Sequence, residues 1–275
     1  MRKQVLLSIV FALMGVLVIQ GRDVVSRSVQ VAPFDKIVIA SSVTVRYTQS
    51  AKYGCTIVGS KQDVGKIRVE VKSGVLDIRV QTKKAELFGV TFQTAEDIDD
   101  VVINVSSPCL TKVQCLGSGD FIATNDIRTD NLECKVAGSG DIDLKTVTAQ
   151  NLRFDIAGSG DISLQQAKVQ RLSAAVAGSG DINIGRVASG CQDAALAVVG
   201  SGDVEADFAL CERLVCKVAG SGDIQVRGKV THHEVSVIGS GDIDDAQLCV
   251  TGKRSEHNVR AGSQSRKPNR INSRP

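Results

Sequence analysis

The stretch Ala157-Gly-Ser-Gly-Asp-Ile162 recurs twenty residues later as Ala177-Gly-Ser-Gly-Asp-Ile182. Its core, Gly-Ser-Gly-Asp, occurs seven times in the 275-residue chain, and the copies begin at Gly117, Gly138, Gly158, Gly178, Gly200, Gly220 and Gly239. Successive copies are separated by 19 to 22 residues. A fixed period near 20 residues is typical of a solenoid, in which each repeat is one supersecondary unit that stacks on its neighbours.

The residues around each motif alternate between apolar and polar. Phe154 and Ile156 precede one copy with polar Asp155 between them, and an apolar residue follows the Asp of every copy. Alternation with period two predicts strand, turn, strand with one face buried. The segments are too short and too rich in β-formers for helical repeats, and the asparagine ladder of leucine-rich repeats is absent. We therefore predict an all-β fold, a parallel β-helix with coils of about 20 residues.

Composition narrows the functional classes. The chain has 7 Phe, 2 Tyr and no Trp, so the core is aliphatic and aromatic platforms for sugars or bases are not expected. Its formal net charge of +3 is far from the strongly basic character of most nucleic-acid-binding domains. We therefore expect no nucleic-acid partner.

The two ends differ from the repeats. Arg2 and Lys3 precede an apolar run from Val5 to Ile19, which predicts a signal peptide over 1–21, with an uncleaved anchor as the alternative. Export to the periplasm, the cell surface or the medium follows from either reading. Residues 252–275 are rich in Lys and Arg and lack apolar periodicity, so we predict a disordered basic tail, and contact with an anionic envelope surface is left open.

Between these ends the sequence divides into two parts. Residues 22–105 lack the tetrapeptide but contain strand-like runs such as Ile67-Arg-Val-Glu-Val71, and we expect irregular first coils or a β-rich region that covers the start of the stack. Residues 106–251 contain the Gly-Ser-Gly-Asp β-helix.

The chain resembles one known family. The spacing Val29-x4-Phe34-x2-Ile37, the run Ile103-x-Val105 with Pro108 and Leu110, and the iterated Ala-Gly-Ser-Gly-Asp-Ile are similar to the putative auto-transporter adhesin, head GIN domain family of exported bacterial proteins. The resemblance extends from about Val29 to Val250. It implies a single-stranded right-handed β-helix and suggests adhesion, and it supplies no catalytic residues.

The repeated aspartates form the first candidate site. In coils that are in register their carboxylates stack at strand spacing, where like charges repel and need compensation. One compensation is Ca²⁺, which prefers carboxylate and carbonyl oxygens, and the other is a column of Asx-turns with hydrogen bonds from turn N–H groups. The residues are Asp120, Asp141, Asp161, Asp181, Asp203, Asp223 and Asp242.

The eight cysteines fall into groups. Cys115, Cys134 and Cys216 occupy apolar columns and are predicted to be buried. Cys191 and Cys211 each lie nine residues before the first glycine of their motif, so neighbouring coils place them at strand spacing, within the range of a disulfide. We predict that they bond in an oxidising compartment.

The outward columns of the central coils are small or apolar, which is the one surface feature that points to a partner, either a protein or a glycan. The residues of this predicted patch are Ser173, Ala175, Ala195, Ala197 and Val215.

These observations favour an exported, non-enzymatic binding or structural module of the cell envelope, and homo-oligomerisation is left open. One alternative is a glycan-active lyase or hydrolase, because such enzymes use β-helices, and Glu205 and Asp207 share an outward face. The even repeat spacing leaves no room for the long insertions that frame such sites. The other alternative is a purely structural spacer.

Overall fold

A computed structural model describes residues 24–87, 90–95, 98 and 101–258. The predicted signal peptide at 1–21 lies outside this part. Within it the chain is nearly all strand, with one short helix. The strands are β1 (Val24–Ser28), β2 (Lys36–Ala40), β3 (Thr44–Gln49), β4 (Gly54–Ser60), β5 (Ile67–Lys72), β6 (Val75–Val80), β7 (Thr82–Leu87), β8 (Val90–Ala95), β9 (Val102–Ser107), β10 (Lys112–Cys115), β11 (Asp120–Ala123), β12 (Ile127–Arg128), β13 (Asn131–Gly138), β14 (Ile142–Gly158), β15 (Ile162–Gly178), β16 (Ile182–Val187), β17 (Cys191–Gly200), β18 (Val204–Gly220), β19 (Ile224–Gly239), β20 (Ile243–Val250) and β21 (Arg254–Asn258), and the helix is α1 (Lys61–Lys66).

The repeats form a parallel β-solenoid, which confirms the predicted fold class. Strand β14 pairs in register with β15 along its whole length, except at Lys145 and Gln150, where the chain turns. Each coil therefore has three sides. In this coil, face A is 142–144, face B is 146–149 and face C is 151–158, and the Gly-Ser-Gly-Asp corner connects face C to the next face A.

The core is a set of apolar columns inside the coils. Ile142, Val147 and Phe154 are each 0 % exposed and represent the three faces. Phe154 pairs with Cys134 on one side and Ala174 on the other, so a large ring is accommodated between two small neighbours. The solenoid thus fills its interior by varying residue size along a column, as close packing requires.

The N-terminal part covers the first coil with antiparallel strands. β4 pairs antiparallel with β1 and β9, and β5 pairs antiparallel with β6. The stacking order also departs from chain order, because β2 lies between β6 and β10, and β3 lies between β9 and β11, all in parallel. The predicted irregular region is therefore both a cap and two coils of the same continuous sheet.

The sheet continues past the predicted end of the solenoid. β21 pairs in parallel with β19, with Arg254 opposite His233. The predicted disordered tail at 252–275 therefore begins with a strand, which forms hydrogen bonds with backbone groups of β19, and residues 259–275 lie outside the described part. Among the described residues no helix is long and apolar enough to cross a membrane.

Candidate functional site: face C and the ends of the coils

The Gly-Ser-Gly-Asp corner is held by hydrogen bonds between coils. The carbonyl of Gly138 accepts the N–H groups of Ser159 at 2.9 Å and Gly160 at 3.2 Å, and the same pattern repeats at the following corners. The first glycine of most copies has a positive φ, for example 144° at Gly178. The glycines are therefore structural, because the corner needs close backbone approach in a conformation that other residues rarely adopt.

The aspartates form a ladder from coil to coil. Asp161 Oδ1 accepts the backbone N–H of Asp181 at 2.8 Å, and Asp181 Oδ1 accepts that of Asp203 at 2.8 Å. The same bond joins Asp120 to Asp141, Asp141 to Asp161, Asp203 to Asp223, and Asp223 to Asp242. The predicted hydrogen-bond role is present, but the donor belongs to the next coil and not to the same turn.

In this ladder one carboxylate oxygen of each aspartate from Asp120 to Asp223 accepts an N–H group of the next coil. Within the described residues no three His, Cys, Asp or Glu side chains group closely enough to hold a metal ion. Binding of Ca²⁺ to the column stays a prediction that a melt with added Ca²⁺ tests.

Replacing Asp161 with Asn is expected to leave stability unchanged or to raise it by up to about 0.5 kcal/mol at low salt. The amide oxygen still accepts the Asp181 N–H, while one charge leaves a column of like charges. Thermal melts at 20 mM and 500 mM NaCl measure the effect, and the difference from wild type should shrink at high salt. A loss above about 1 kcal/mol would show that the charge itself stabilises the corner.

Face C carries a row of apolar residues that are exposed or, at Ala137 and Ala219, partly exposed. They stand one position before each first glycine, and register pairs Ala177 with Val199 and Val199 with Ala219. The largest members are well exposed: Leu116 is 43 % exposed, Val199 57 % and Ile238 54 %. The row consists of Leu116, Ala137, Ala157, Ala177, Val199, Ala219 and Ile238.

The predicted partner patch lies beside this row on the same face. Ala195 is exposed, and Ser173, Ala175, Ala197 and Val215 are partly exposed. Register pairs Ser173 with Ala195 and Ala195 with Val215, so the residues touch across neighbouring strands. These side chains therefore share an outward face, and their contact with a partner stays a prediction.

A shallow groove of about 510 Å³ crosses the patch. Ser173, Ala195 and Val215 form part of its floor, while Ala175 and Ala197 lie outside it. Its charged side chains are Arg153, Arg171, Asp193, Arg213, Lys217 and Glu234.

The charges at the groove are mostly basic. Arg153 forms a bidentate pair with Asp155 at 2.6 and 2.7 Å, and Arg213 lies 3.6 Å from Glu234. Arg171 donates from Nε to Asn151 Oδ1 at 2.6 Å, and neither it nor Lys217 has a carboxylate partner within the described part of the chain. The groove therefore combines an apolar floor with two cations that are available for a ligand.

The last coils contain a polar cluster in place of core residues. His233 occupies an inward column that holds Leu214 in the preceding coil, and Asp245 lies where the register between β19 and β20 shifts. His233 is 1 % exposed, with Nδ1 3.3 Å from Asp245 Oδ2, and Arg254 Nη2 lies 2.8 Å from the same oxygen. Burial tends to raise the pKa of Asp245, but the contact with His233 and the charge of Arg254 outweigh it, so this pKa is lowered.

This cluster adjoins a cavity of about 800 Å³ at the last coil, whose wall includes Asp245, Arg254 and Glu256. This cluster was not predicted from the sequence, although the aligned repeats contain the signal. A His at the column of Leu132, Leu152, Leu172 and Leu214 marks the coil where the apolar core ends. The exposed row of face C was also missed, and its signal is an apolar residue before every motif.

The carboxylates considered for glycan chemistry are paired with cations. Arg227 Nη1 lies 2.7 Å from Glu205 Oε1, and Arg186 Nη1 lies 3.1 Å from Asp207 Oδ2. These ion pairs give both carboxylates a structural role.

The buried cysteines lie where the sequence predicts them. Cys115, Cys134 and Cys216 are 0 % exposed. Cys191 and Cys211 are in register on neighbouring strands, with their sulfur atoms 3.4 Å apart as free thiols. Their proximity is confirmed, and the disulfide stays a prediction.

Comparison with known proteins assigns the chain to a family. The model of the putative auto-transporter adhesin, head GIN domain family matches residues 33–205 and 187–266, and the chain therefore belongs to this family. Membership of this adhesin-like family suggests an exported or surface protein. No curated protein matches the chain.

Solved structures share the fold over most of the chain. A putative adhesin from Bacteroides fragilis is 26 % identical, with a TM-score of 0.66 over 82 % of this chain and 97 % of its own. A putative adhesin from Parabacteroides merdae is 19 % identical, with a TM-score of 0.67 over 88 % and 98 %. A putative lipid binding protein from Parabacteroides distasonis is 24 % identical, with a TM-score of 0.65 over 88 % and 98 %.

Proposed function

We propose that the protein is an exported, non-enzymatic binding module of the cell envelope, and that face C binds the surface of another protein. The observation that carries the proposal is the exposed apolar row beside the patch around Ala195. Soluble proteins rarely expose contiguous apolar surface unless it serves an interaction.

The size of face C suits a protein partner. Its strands β13, β14, β15, β17, β18 and β19 and their eight-residue width cover ~24 Å by ~24 Å, or ~600 Å², close to one side of a standard interface. An apolar centre with charged residues such as Arg171 and Lys217 at its margin matches the usual anatomy of such interfaces.

A protein partner is favoured over a glycan by the chemistry of the face. Its outward columns contain no Phe, Tyr or Trp side chain, whereas sugar recognition commonly stacks the pyranose on one. A non-enzymatic role is supported by the ion pairs of Glu205 and Asp207, which engage the acids that were candidates for hydrolysis.

The test measures binding of the purified protein to cells of the species that encodes it. Ala195→Glu places a charge in the centre of the patch and is expected to weaken binding at least tenfold. Asn183→Glu adds the same charge at an exposed position of face A and should bind as wild type does. Thermal melts of both variants confirm that they fold.

Treatment of the cells identifies the partner class. Protease digestion should abolish binding, whereas periodate oxidation of glycans should leave it intact. Equal binding by Ala195→Glu and wild type would refute the role of face C. Loss of binding after periodate alone would assign a glycan ligand. Absence of any binding would favour the alternative that the protein is a purely structural spacer.

A further inference from the structure

Two thiols face each other inside the solenoid. Cys191 on β17 is 3 % exposed, Cys211 on β18 is 0 % exposed, and their sulfur atoms are 3.4 Å apart. They are direct register partners, and the next residue in this column is Val230. Adjacent strands place Cα atoms ~4.8 Å apart, inside the range that a disulfide spans. The pair can therefore bond without a shift of the strands.

The other fully buried cysteines differ in this respect. Cys216 is 0 % exposed on the same strand as Cys211, but its register partners are Leu196 and Val235. Burial raises the pKa of Cys216 and keeps its thiol protonated. Cys216 is thus a matched internal control, a buried thiol in the same core without an in-register cysteine.

The chain also provides a route for a small reagent to reach the pair. The interval from Gly178 to Gly200 is the longest of the repeats, and the extra residues form a turn at 188–190 directly before Cys191. Ser189 and Gly190 in this turn are exposed. Exposed turns with few packed side chains open locally at low cost, so Cys191 lies beside a segment of its coil that can open without unfolding the rest.

We propose that Cys191 and Cys211 form a reversible redox site, in which thiol–disulfide exchange with a small-molecule disulfide links two adjacent coils. The thiolate of one cysteine attacks the reagent, forms a mixed disulfide and releases one thiolate. The other cysteine then loses its proton and attacks the sulfur of the first, which releases the second thiolate. Two protein thiols are oxidised and one reagent disulfide is reduced to two thiols.

The hydrogen bond between the two sulfur atoms couples the two ionisations, and it lowers the pKa of one thiol while it raises the pKa of the other. The thiol that ionises first is the attacking group, since the thiolate is the nucleophile.

The link would stabilise the coils that carry the centre of face C. Two residues beyond the pair, Asp193 and Arg213 are register partners at the edge of the groove. A bond between Cys191 and Cys211 closes a short loop and restricts the unfolded chain, so oxidation should raise the melting temperature. This inference is independent of what face C binds.

The experiment compares protein incubated with oxidised or reduced glutathione. Free thiols are alkylated with iodoacetamide in denaturant, and a non-reducing digest with a protease that cleaves after Glu, and so cuts at Glu205 between the two cysteines, is analysed by mass spectrometry. The expected product is a peptide that joins Cys191 to Cys211, at the combined mass of the two peptides less two hydrogens. The oxidised protein should melt about 5 °C or more above the reduced protein.

Variants separate this pair from the other thiols. Cys191→Ser and Cys211→Ser should each lose the joined peptide and the difference in melting temperature, whereas Cys216→Ala should keep both. Alkylation of both thiols after oxidation, or a link through exposed Cys109 or Cys249 instead, would overturn the proposal. The wild-type peptide map decides the question even where a variant fails to fold.

Discussion

Replacing Gly178 with Ala is expected to lower the free energy of unfolding by about 4 kcal/mol or more. The added Cβ would collide with the carbonyl oxygen of Gly158, which accepts the N–H groups of Ser179 at 2.9 Å and Gly180 at 3.2 Å. The φ of 144° adds strain for any L side chain. A fall in melting temperature of about 8 °C or more would report this loss in thermal melts.

Three control variants separate the causes. Gly180→Ala meets the Gly160 carbonyl without a positive φ, and Gly190→Ala has a φ of 108° but open space around its Cβ. We expect Gly180→Ala to be severe, Gly190→Ala to cost about 1 kcal/mol, and exposed Ser179→Ala to be close to neutral. If Gly178→Ala were as mild as Gly190→Ala, the coils would separate more easily than this hydrogen-bonded corner implies.

The second large effect is expected at the C-terminal end of the core. Asp245→Ala should destabilise the protein by about 2 to 3 kcal/mol, because it leaves buried His233 and the guanidinium of Arg254 without their shared carboxylate. Its exposed neighbour Asp244 is the matched control, and Asp244→Ala should cost less than about 1 kcal/mol. Urea unfolding of the three proteins measures the difference.

The carboxylate of Asp245 also makes the stability of the fold depend on pH in the acid range. The pKa of Asp245 is lower in the folded chain than its usual value of 3.8. As the pH falls, the unfolded chain therefore takes up this proton at a higher pH than the folded chain does. The stabilising effect of this carboxylate is therefore present above about pH 4 and is lost as the pH falls through the folded pKa. Asp245→Asn should flatten the acid limb of a plot of melting temperature against pH. An unchanged limb would assign acid unfolding to other carboxylates.

The candidate sites were visible in the sequence to different degrees. Spacing alone placed Cys191 beside Cys211 and put Ala195 on an outward face. Both predictions depend only on the number of residues between each position and the first glycine of its motif. The donor to each aspartate was not predictable, because the choice between its own turn and the next coil depends on corner geometry. The pairing of Asp245 with His233 and Arg254 joins three strands, so no local pattern contains it.

By itself, the sequence determined the strands and the corner of the repeating coil. Period-two alternation and iterated Gly-Ser-Gly-Asp are local signals, and repetition in register turns each of them into a column of the solenoid. Only the tertiary structure decided the order of the first coils, in which β2 lies between β6 and β10, and the addition of β21 to the last one. These pairings join segments without a repeat to align them, and they form because an open coil leaves backbone hydrogen-bonding groups that need partners.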